Sequence, residues 1–175
     1  PSGLFQALHL THADTEILMA DKRVDSVNFT GSVKGGFAVQ NAISKKFIPA
    51  GLELGGKDPA YVRADADLDN AVETLVDGAF FNSGQSCCGI ERIYVHADLY
   101  DQFVEGFVKL TKNYNLGNPL EADTNLGPMV RASSAEFVRA EIAAAVASGA
   151  KSLVDEAEFP ASKKGTAYLL MLIII

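Results

Sequence analysis

The fold is decided at Leu52-Glu53-Leu54-Gly55-Gly56-Lys57, a short apolar segment that runs into a pair of glycines. Pro49 and Gly51 break the helical pattern that precedes it, as these two residue types do most strongly. A stretch of this kind, with periodic regions on both sides, is typical of a junction between domains. We therefore predict one domain over residues 1–53 and a second over residues 54–175.

The chain before this junction alternates between strand and helix patterns. Leu4 to Leu10 predicts a short strand, and Asp14 predicts the cap of a helical turn that continues to Met19. A second strand is expected over Ser26 to Phe29, and a helix over Val33 to Ser44.

The chain after the junction has the same rhythm. Asp67 predicts the N-cap of a helix whose apolar residues recur at intervals of three and four: Leu68, Ala71, Val72, Leu75, Val76, Ala79 and Phe80. Ile93 to Val95 predicts a strand, and the apolar stripe from Leu99 to Leu110 a second helix.

A third helix is expected to open with a capping box at Ser133 and Glu136 and to end at Gly149. Leu153 and Val154 predict the next strand. Helices that alternate with strands over this distance favour an α/β fold with a mainly parallel sheet, covered by helices on both faces.

Composition excludes several classes of partner. The net charge is −7, from 15 basic and 22 acidic residues, which argues against nucleic acid. The apolar run Ala167 to Ile175 is far shorter than the roughly 20 residues of a membrane-spanning helix, so we predict a buried or aggregation-prone strand there and no membrane partner. The two cysteines are adjacent, which fits a reducing compartment, either the cytoplasm or, alternatively, the mitochondrial matrix.

The adjacent thiols end the segment Phe81-Asn82-Ser83-Gly84-Gln85-Ser86-Cys87-Cys88, which places Cys87 34 positions after Glu53. Free cysteine is often an inert buried residue. A polar, glycine-rich turn is unnecessary for a structural thiol, whereas an attacking sulfur needs exposure and nearby backbone donors. We predict that Cys87 is a nucleophile and that Cys88 is a packing residue.

One interpretation of Glu53 gives it no catalytic role, as a solvated carboxylate or an ion-pair partner. Its neighbours Leu52 and Leu54 suggest an apolar environment instead. Because such an environment raises the pKa of a carboxyl group, Glu53 is predicted to be a usable base near neutral pH.

A glycine-flanked turn from Gly31 and Ser32 to Gly36 separates the second predicted strand from the next helix. Backbone N–H groups at such a place can receive a phosphate, although the turn departs from the usual dinucleotide fingerprint. His9, His12 and His96 have no ligand spacing, so no metal site is predicted.

Taken together, these segments and Phe29-Thr30-Gly31-Ser32 resemble the aldehyde dehydrogenase superfamily in order and spacing. Asn115-Leu116-Gly117-Asn118-Pro119 and Leu126-Gly127-Pro128-Met129 extend the similarity, which runs from about residue 3 to about residue 159. The chain resembles the middle third of such enzymes. It would hold the end of a Rossmann-like dinucleotide-binding domain (1–53) and the first part of the catalytic domain (54–175).

The resemblance implies a mechanism. Cys87 would attack a small aldehyde, NAD or NADP would accept hydride, and Glu53 would activate the water that hydrolyses the thioester. Gly31, Ser32 and Gly36 would contact the cofactor diphosphate, and Leu54 would also contact the cofactor. The full-length family member would be a homo-oligomer, and this partial chain is expected to lack turnover.

Other interpretations remain open. A CoA-acylating relative would use a thiol in place of water, and an inactive scaffold would keep the fold without the reaction. A thiol redox protein would use Cys87 and Cys88 as a pair. Apolar faces on the helices and at Tyr168 to Ile175 also predict self-association.

Overall fold

The computed structural model describes residues 1–170. The chain divides into two compact units, Pro1–Gly55 and Gly56–Ile175, and this division lies two residues from the boundary expected from the sequence. Most of the strand predicted over Ala167 to Ile175 lies outside the described residues, because the description ends at Leu170. None of the helices within residues 1–170 is long and apolar enough to cross a bilayer.

The first unit is a strand, helix, strand arrangement preceded by one helix. Its elements are α1 (His12–Ala20), β1 (Val27–Thr30), α2 (Val33–Ile43) and β2 (Ala50–Glu53). The two strands are parallel, with Val27 opposite Ala50 and Thr30 opposite Glu53. Parallel strands need a crossover connection, and α2 supplies it.

Two features hold this unit together. The buried residues of α2 are Gly36, Val39 and Ile43, which share one face of a helix. The Lys46 ammonium group donates to the carbonyl oxygens of Met19 (3.1 Å), Val24 (2.8 Å) and Asp21. This ammonium group therefore gathers the carbonyl groups at the end of α1 and in the loop that follows.

Two predictions for this unit are wrong. Leu4 to Leu10 is not a strand, since no strand within residues 1–170 pairs with it and a strand needs a neighbour for its backbone groups. The cap of α1 is Thr11 and not Asp14: Thr11 Oγ1 accepts from the Asp14 backbone N–H at 3.2 Å. Asp14 instead lies in the first turn, where a negative charge is favourable.

Up to Leu170, the second unit alternates strands and helices and then has a helix and a loop region. It contains β3 (Asp58–Val62), α3 (Leu68–Phe80), β4 (Ile90–Val95), α4 (Tyr100–Thr111) and α5 (Ala132–Ala147). β3 and β4 are parallel, with Pro59 opposite Arg92 and Val62 opposite Val95. The α/β class predicted from the sequence is confirmed, with parallel pairing in both units.

The core of the second unit lies where α3 and α4 pack together and against β3. Phe80 of α3 packs edge-on against Phe107 of α4 and against Tyr114, with ring centroids 5.8 and 5.9 Å apart. Val62, Val72 and Val76 complete the centre of this cluster. The predicted N-cap of α3 is confirmed, because Asp67 Oδ1 accepts from the Asn70 backbone N–H at 3.1 Å.

Two further predictions are wrong. The N-cap of α5 is Arg131, without a side-chain cap, and the Glu136 carboxylate accepts instead from Arg139 and from the Gly165 backbone N–H. Leu153 and Val154 are not in a strand, and the chain bends at Val154. Ser152 Oγ donates to the Val154 carbonyl oxygen at 3.0 Å.

Arg139 ties the loop region after α5 back to that helix. Its guanidinium group contacts Glu156 Oε1 at 2.6 Å and Glu136 Oε1 at 2.8 Å. It also donates to the carbonyl oxygens of Lys163 and Tyr168, at 3.0 and 3.2 Å. Burial alone would raise the pKa of Glu156, but hydrogen bonds from Arg139 and Ser162 lower it below the ordinary 4.5.

This lowered pKa predicts an acid-sensitive contribution to stability. A carboxyl whose pKa is lower in the folded state stabilises the fold at pH above its unfolded value of 4.5, and the contribution disappears as the pH falls through the folded value. Urea unfolding followed by circular dichroism should therefore show that Glu156→Gln loses less stability between neutral pH and about pH 3 than the unmodified protein. Glu105→Gln, on an exposed part of α4, is the control and should follow the unmodified protein.

Candidate active site

A left-handed turn follows α3 and precedes the two thiols. Asn82 and Ser83 have φ values of 52° and 57°, and Gly84 has a φ of 72°. Most residues with a Cβ atom, serine among them, adopt this conformation at a cost of roughly 1–2 kcal/mol, whereas asparagine tolerates it better. Backbone in this region persists only where surrounding contacts hold it, and such places cluster at functional sites.

Polar side chains of the turn hold it in this shape. Ser83 Oγ donates to the Gly127 carbonyl oxygen at 2.8 Å, and Gln85 Oε1 accepts from the Val130 backbone N–H at 2.9 Å. Gln85 Nε2 also donates to the Asn82 carbonyl oxygen at 3.0 Å, and Asn82 Nδ2 donates to the Gln85 carbonyl oxygen at 3.1 Å. The turn is thus closed on itself and tied to the segment 127–130.

The two thiols lie just beyond this turn. Cys87 and Cys88 are both free and exposed, and Ser86 Oγ lies 3.2 Å from Cys88 Sγ. The prediction that Cys88 is a packing residue is therefore wrong: the turn directs both successive side chains into solvent. The exposure of Cys87 is what attack on a small molecule requires.

Gly56 approaches the backbone of Cys87 closely. A Cβ atom added at Gly56 would overlap the Cys87 carbonyl oxygen and would lie 3.0 Å from Asp58 Oδ1. Next to it, Lys57 forms an ion pair with Glu91, and Arg92 Nη2 donates to the Lys57 carbonyl oxygen at 2.8 Å. The second glycine of the junction therefore sits against the chain that carries the thiols.

Glu53 lies in the first unit, at the end of β2. Its carbonyl oxygen accepts from the Gly31 backbone N–H at 2.9 Å, and its side chain is exposed. The apolar environment expected from Leu52 and Leu54 is not found. Successive side chains in a strand point to opposite faces, so flanking leucines lie on the face that Glu53 does not occupy.

The turn predicted to bind the cofactor lies beside Glu53 in the same unit. Ser32 is the N-cap of α2, and its Oγ accepts from the Gly35 backbone N–H at 3.1 Å. A Cβ atom at Gly31 would lie 2.6 Å from the Phe29 ring, and one at Gly36 would lie 3.1 Å from the Leu54 methyl groups. The close packing of Phe29 against Gly31 and of Leu54 against Gly36 therefore explains why neither position has a side chain.

The predicted residues thus form two groups. Gly31, Ser32, Gly36, Glu53 and Leu54 belong to the first unit, and Cys87 belongs to the second. Within residues 1–170 no cluster of three or more His, Cys, Asp or Glu side chains could hold a metal ion.

One open depression of the second unit has no contribution from Cys87. Glu73 and Asp77 of α3 border it together with Asn113 and Tyr114. Burial raises the pKa of Tyr114, and the nearby Asp77 charge adds to this.

Sequence reasoning missed the tethering roles of Ser83 and Gln85. The run Asn82-Ser83-Gly84 did contain a signal, because these three residue types favour turns. Their partners, Gly127 and Val130, lie more than 40 positions away in the chain. No local pattern in the sequence identifies such partners.

Comparison with known proteins gives consistent matches. The aldehyde dehydrogenase family model matches residues 1–174. A succinate-semialdehyde dehydrogenase (NADP+) from Mycobacterium leprae (strain TN) is 41% identical over 150 residues, which are 86% of this chain and 33% of that protein.

Solved structures agree. Aldehyde dehydrogenase 21 from Physcomitrella patens, in complex with the reaction product succinate, has a TM-score of 0.83 and 35% identity, covering 95% of this chain and 33% of that one. A betaine aldehyde dehydrogenase from Staphylococcus aureus in complex with NAD+ has a TM-score of 0.82 and 28% identity, covering 91% and 32%. The chain spans about a third of the length of these relatives.

The close approach at Gly56 can be tested by adding a methyl group. We expect Gly56→Ala to lower the free energy of unfolding by about 1–3 kcal/mol, because the new Cβ atom meets a backbone oxygen that cannot move independently. Urea unfolding monitored by circular dichroism measures the change. Gly55→Ala is the matched control, since a Cβ atom there meets nothing within 4 Å. Equal stability of the two variants would contradict the role of Gly56.

Proposed function

Because this chain belongs to the aldehyde dehydrogenase family, we propose that it carries the nucleophile, Cys87, and the base, Glu53, of an NAD- or NADP-dependent oxidation of an aldehyde to a carboxylic acid. The observation that carries the proposal is the free, exposed thiol of Cys87 just beyond a left-handed turn that side chains tether. A protein holds such backbone where position matters.

The first step belongs to Cys87. Its thiolate attacks the carbonyl carbon of the aldehyde, a C–S bond forms, and negative charge develops on the carbonyl oxygen. The Cys87 backbone N–H is proposed as one donor to this oxygen, since a fixed donor aimed at developing charge stabilises the transition state. The product of this step is a thiohemiacetal on Cys87.

The cofactor would lie at the N-terminus of α2. Gly31, Ser32 and Gly36 are proposed to contact its diphosphate, and Leu54, which packs on Gly36, to border it. Three features fit a phosphate: the first turn of α2 has no acidic residue, its first residues, Val33 and Lys34, are exposed, and Lys34 adds a positive charge. When bound, NAD or NADP supplies the hydride acceptor that converts the thiohemiacetal into a thioester.

The last step is proposed for Glu53. Its carboxylate takes a proton from water, and the water oxygen attacks the thioester carbon. The C–S bond breaks, the proton is returned to the departing sulfur, and a carboxylic acid and the Cys87 thiol are released. The side chain is exposed at the end of β2, so water can reach it.

The substrate is proposed to be a small aldehyde. The relative from Mycobacterium leprae is a succinate-semialdehyde dehydrogenase, and the Physcomitrella patens structure holds succinate, which supports a short aldehyde that ends in a carboxylate. Both NADP+ and NAD+ occur among the relatives. For a full-length family member, a homo-oligomer is the expectation that follows from the family. The two adjacent thiols favour a reducing compartment, either the cytoplasm or the mitochondrial matrix.

The isolated chain is expected to bind a cofactor poorly, because it spans about a third of its relatives. Incubation of the purified 175-residue chain with succinate semialdehyde and either NAD or NADP should produce no reduced nicotinamide, measured by its absorbance. A full-length relative assayed alongside is the positive control. Sustained turnover by the isolated chain would contradict this part of the proposal.

The covalent chemistry can be tested without a cofactor. An activated ester, p-nitrophenyl acetate, should acylate Cys87 and release p-nitrophenol, and mass spectrometry of the digested protein locates the acyl group. Cys87→Ser should abolish acylation at this position, whereas Cys88→Ser should retain it. Acylation of Cys88 in preference to Cys87 would contradict the assignment.

Hydrolysis of the acyl group tests Glu53. We expect Glu53→Gln to slow deacylation of Cys87 by about 100-fold, the lower end of what a general base contributes, while the initial acylation continues. Glu16→Gln, an exposed carboxylate of α1 in the same unit, is the matched control and should deacylate normally. Equal rates in the two variants would remove Glu53 from the mechanism.

A further inference from the structure

We propose that Gln85 is a positioning residue for Cys87, and that its side-chain amide fixes the path of the turn from which the thiol projects. The inference rests on the proposed function of Cys87 as the nucleophile and adds a residue that acts through it. Gln85 contacts no reacting atom in this proposal.

The side-chain amide of Gln85 accepts one hydrogen bond through its oxygen and donates another through its nitrogen. Oε1 accepts from the Val130 backbone N–H at 2.9 Å, and Nε2 donates to the Asn82 carbonyl oxygen at 3.0 Å. A glutamine can do this because it carries an acceptor and a donor on one planar group. A glutamate supplies only the acceptor, and a methionine of similar length supplies neither.

The turn needs such a tie because its backbone is not self-supporting. Asn82 and Ser83 are left-handed, a conformation that asparagine tolerates but that is unfavourable for serine and persists where surrounding contacts hold it. The Gln85 amide joins the start of the turn, at Asn82, to the separate segment at Val130. Ser83, which is 4% exposed, adds a second bond to the same segment at Gly127.

The position of Cys87 depends on the hydrogen bonds of Gln85, because the Cys87 side chain makes no hydrogen bond of its own within the described residues. Among the hydrogen bonds of the described residues, none involves the Cys87 thiol, and the side chain is exposed. The position of the sulfur atom is therefore set by the backbone that leads to it. Gln85 lies two residues before Cys87, closer than any other side chain that ties this turn to the segment 127–130.

The test uses the whole 175-residue chain with Cys88→Ser as the parent, so that one thiol remains. Three variants are compared with it: Gln85→Met, Gln85→Glu and Gln102→Met. Gln102 is an exposed glutamine of α4 in the same unit and is the matched control. Two quantities are measured: hydrogen exchange of the Val130 backbone amide, and the rate at which p-nitrophenyl acetate acylates Cys87 over a range of pH.

We expect Gln85→Met to raise the exchange rate at Val130 by about 2- to 10-fold, the factor that corresponds to one hydrogen bond. It should lower the acylation rate of Cys87 by about 10-fold, a fraction of the loss that a misplaced reacting group can cause. Gln85→Glu keeps the acceptor, so Val130 should stay protected and part of the rate should return. Gln102→Met should match the parent in both measurements.

The proposal is overturned if Gln85→Met matches Gln102→Met in both measurements, or if Gln85→Glu is acylated as slowly as Gln85→Met while Val130 stays protected. Should Gln85→Met fail to fold, Ser83→Ala removes the second bond with a smaller change and should lower the acylation rate in the same direction. A parent whose Cys87 reacts no faster than free cysteine at any pH would count against the proposed nucleophile. The exchange rate at Val130 would then still decide whether Gln85 holds the turn.

Discussion

The parallel pairing of β3 and β4 is the constraint on which the thiol-bearing region depends. Two parallel strands begin at the same edge of a sheet, so the residues that precede β3 and those that precede β4 must meet there. Gly56 and Lys57 precede β3, and Cys87 to Gly89 precede β4. The contact between Gly56 and the Cys87 backbone and the Lys57–Glu91 ion pair are consequences of this register. Two segments far apart in sequence thus become neighbours through the pairing of the strands that follow them.

Much of the fold could be predicted because the responsible signals are local. The helix α3 and its cap at Asp67 were predicted from an aspartate followed by a regular apolar stripe, and both are confirmed. The cap of α5 was not, because Glu136 is drawn to Arg139 and to the loop near Gly165, contacts that no local pattern contains. No strand was predicted where β3 lies, and Pro59 in that strand is a residue type that is uncommon within sheets.

In the candidate site, too, local features could be predicted from the sequence and tertiary contacts could not. The motif around Cys87 predicted an exposed thiol, which the structure has, and the motif around Glu53 predicted a carboxylate beside the boundary between two domains. The surroundings of Glu53 were misjudged because two flanking leucines suggest burial only if the chain is not a strand, and here the alternation of faces leaves the carboxylate in solvent. The bonds from Ser83 and Gln85 to the segment 127–130 depend on tertiary packing. The sequence therefore locates the residues proposed to react but not the tertiary contacts around them.

Lys46 illustrates how a chain can replace a missing cap with a side chain from elsewhere. An α-helix ends with carbonyl groups that lack partners, and α1 is followed by no glycine that could turn back to satisfy them. The three protons of one ammonium nitrogen point in three directions, and each meets a carbonyl oxygen. A guanidinium group is planar and spreads its donors over a fork. Arginine at position 46 would therefore keep the positive charge but could not direct three donors from one nitrogen atom to the same three carbonyl oxygens. A substitution that conserves charge would not conserve these contacts.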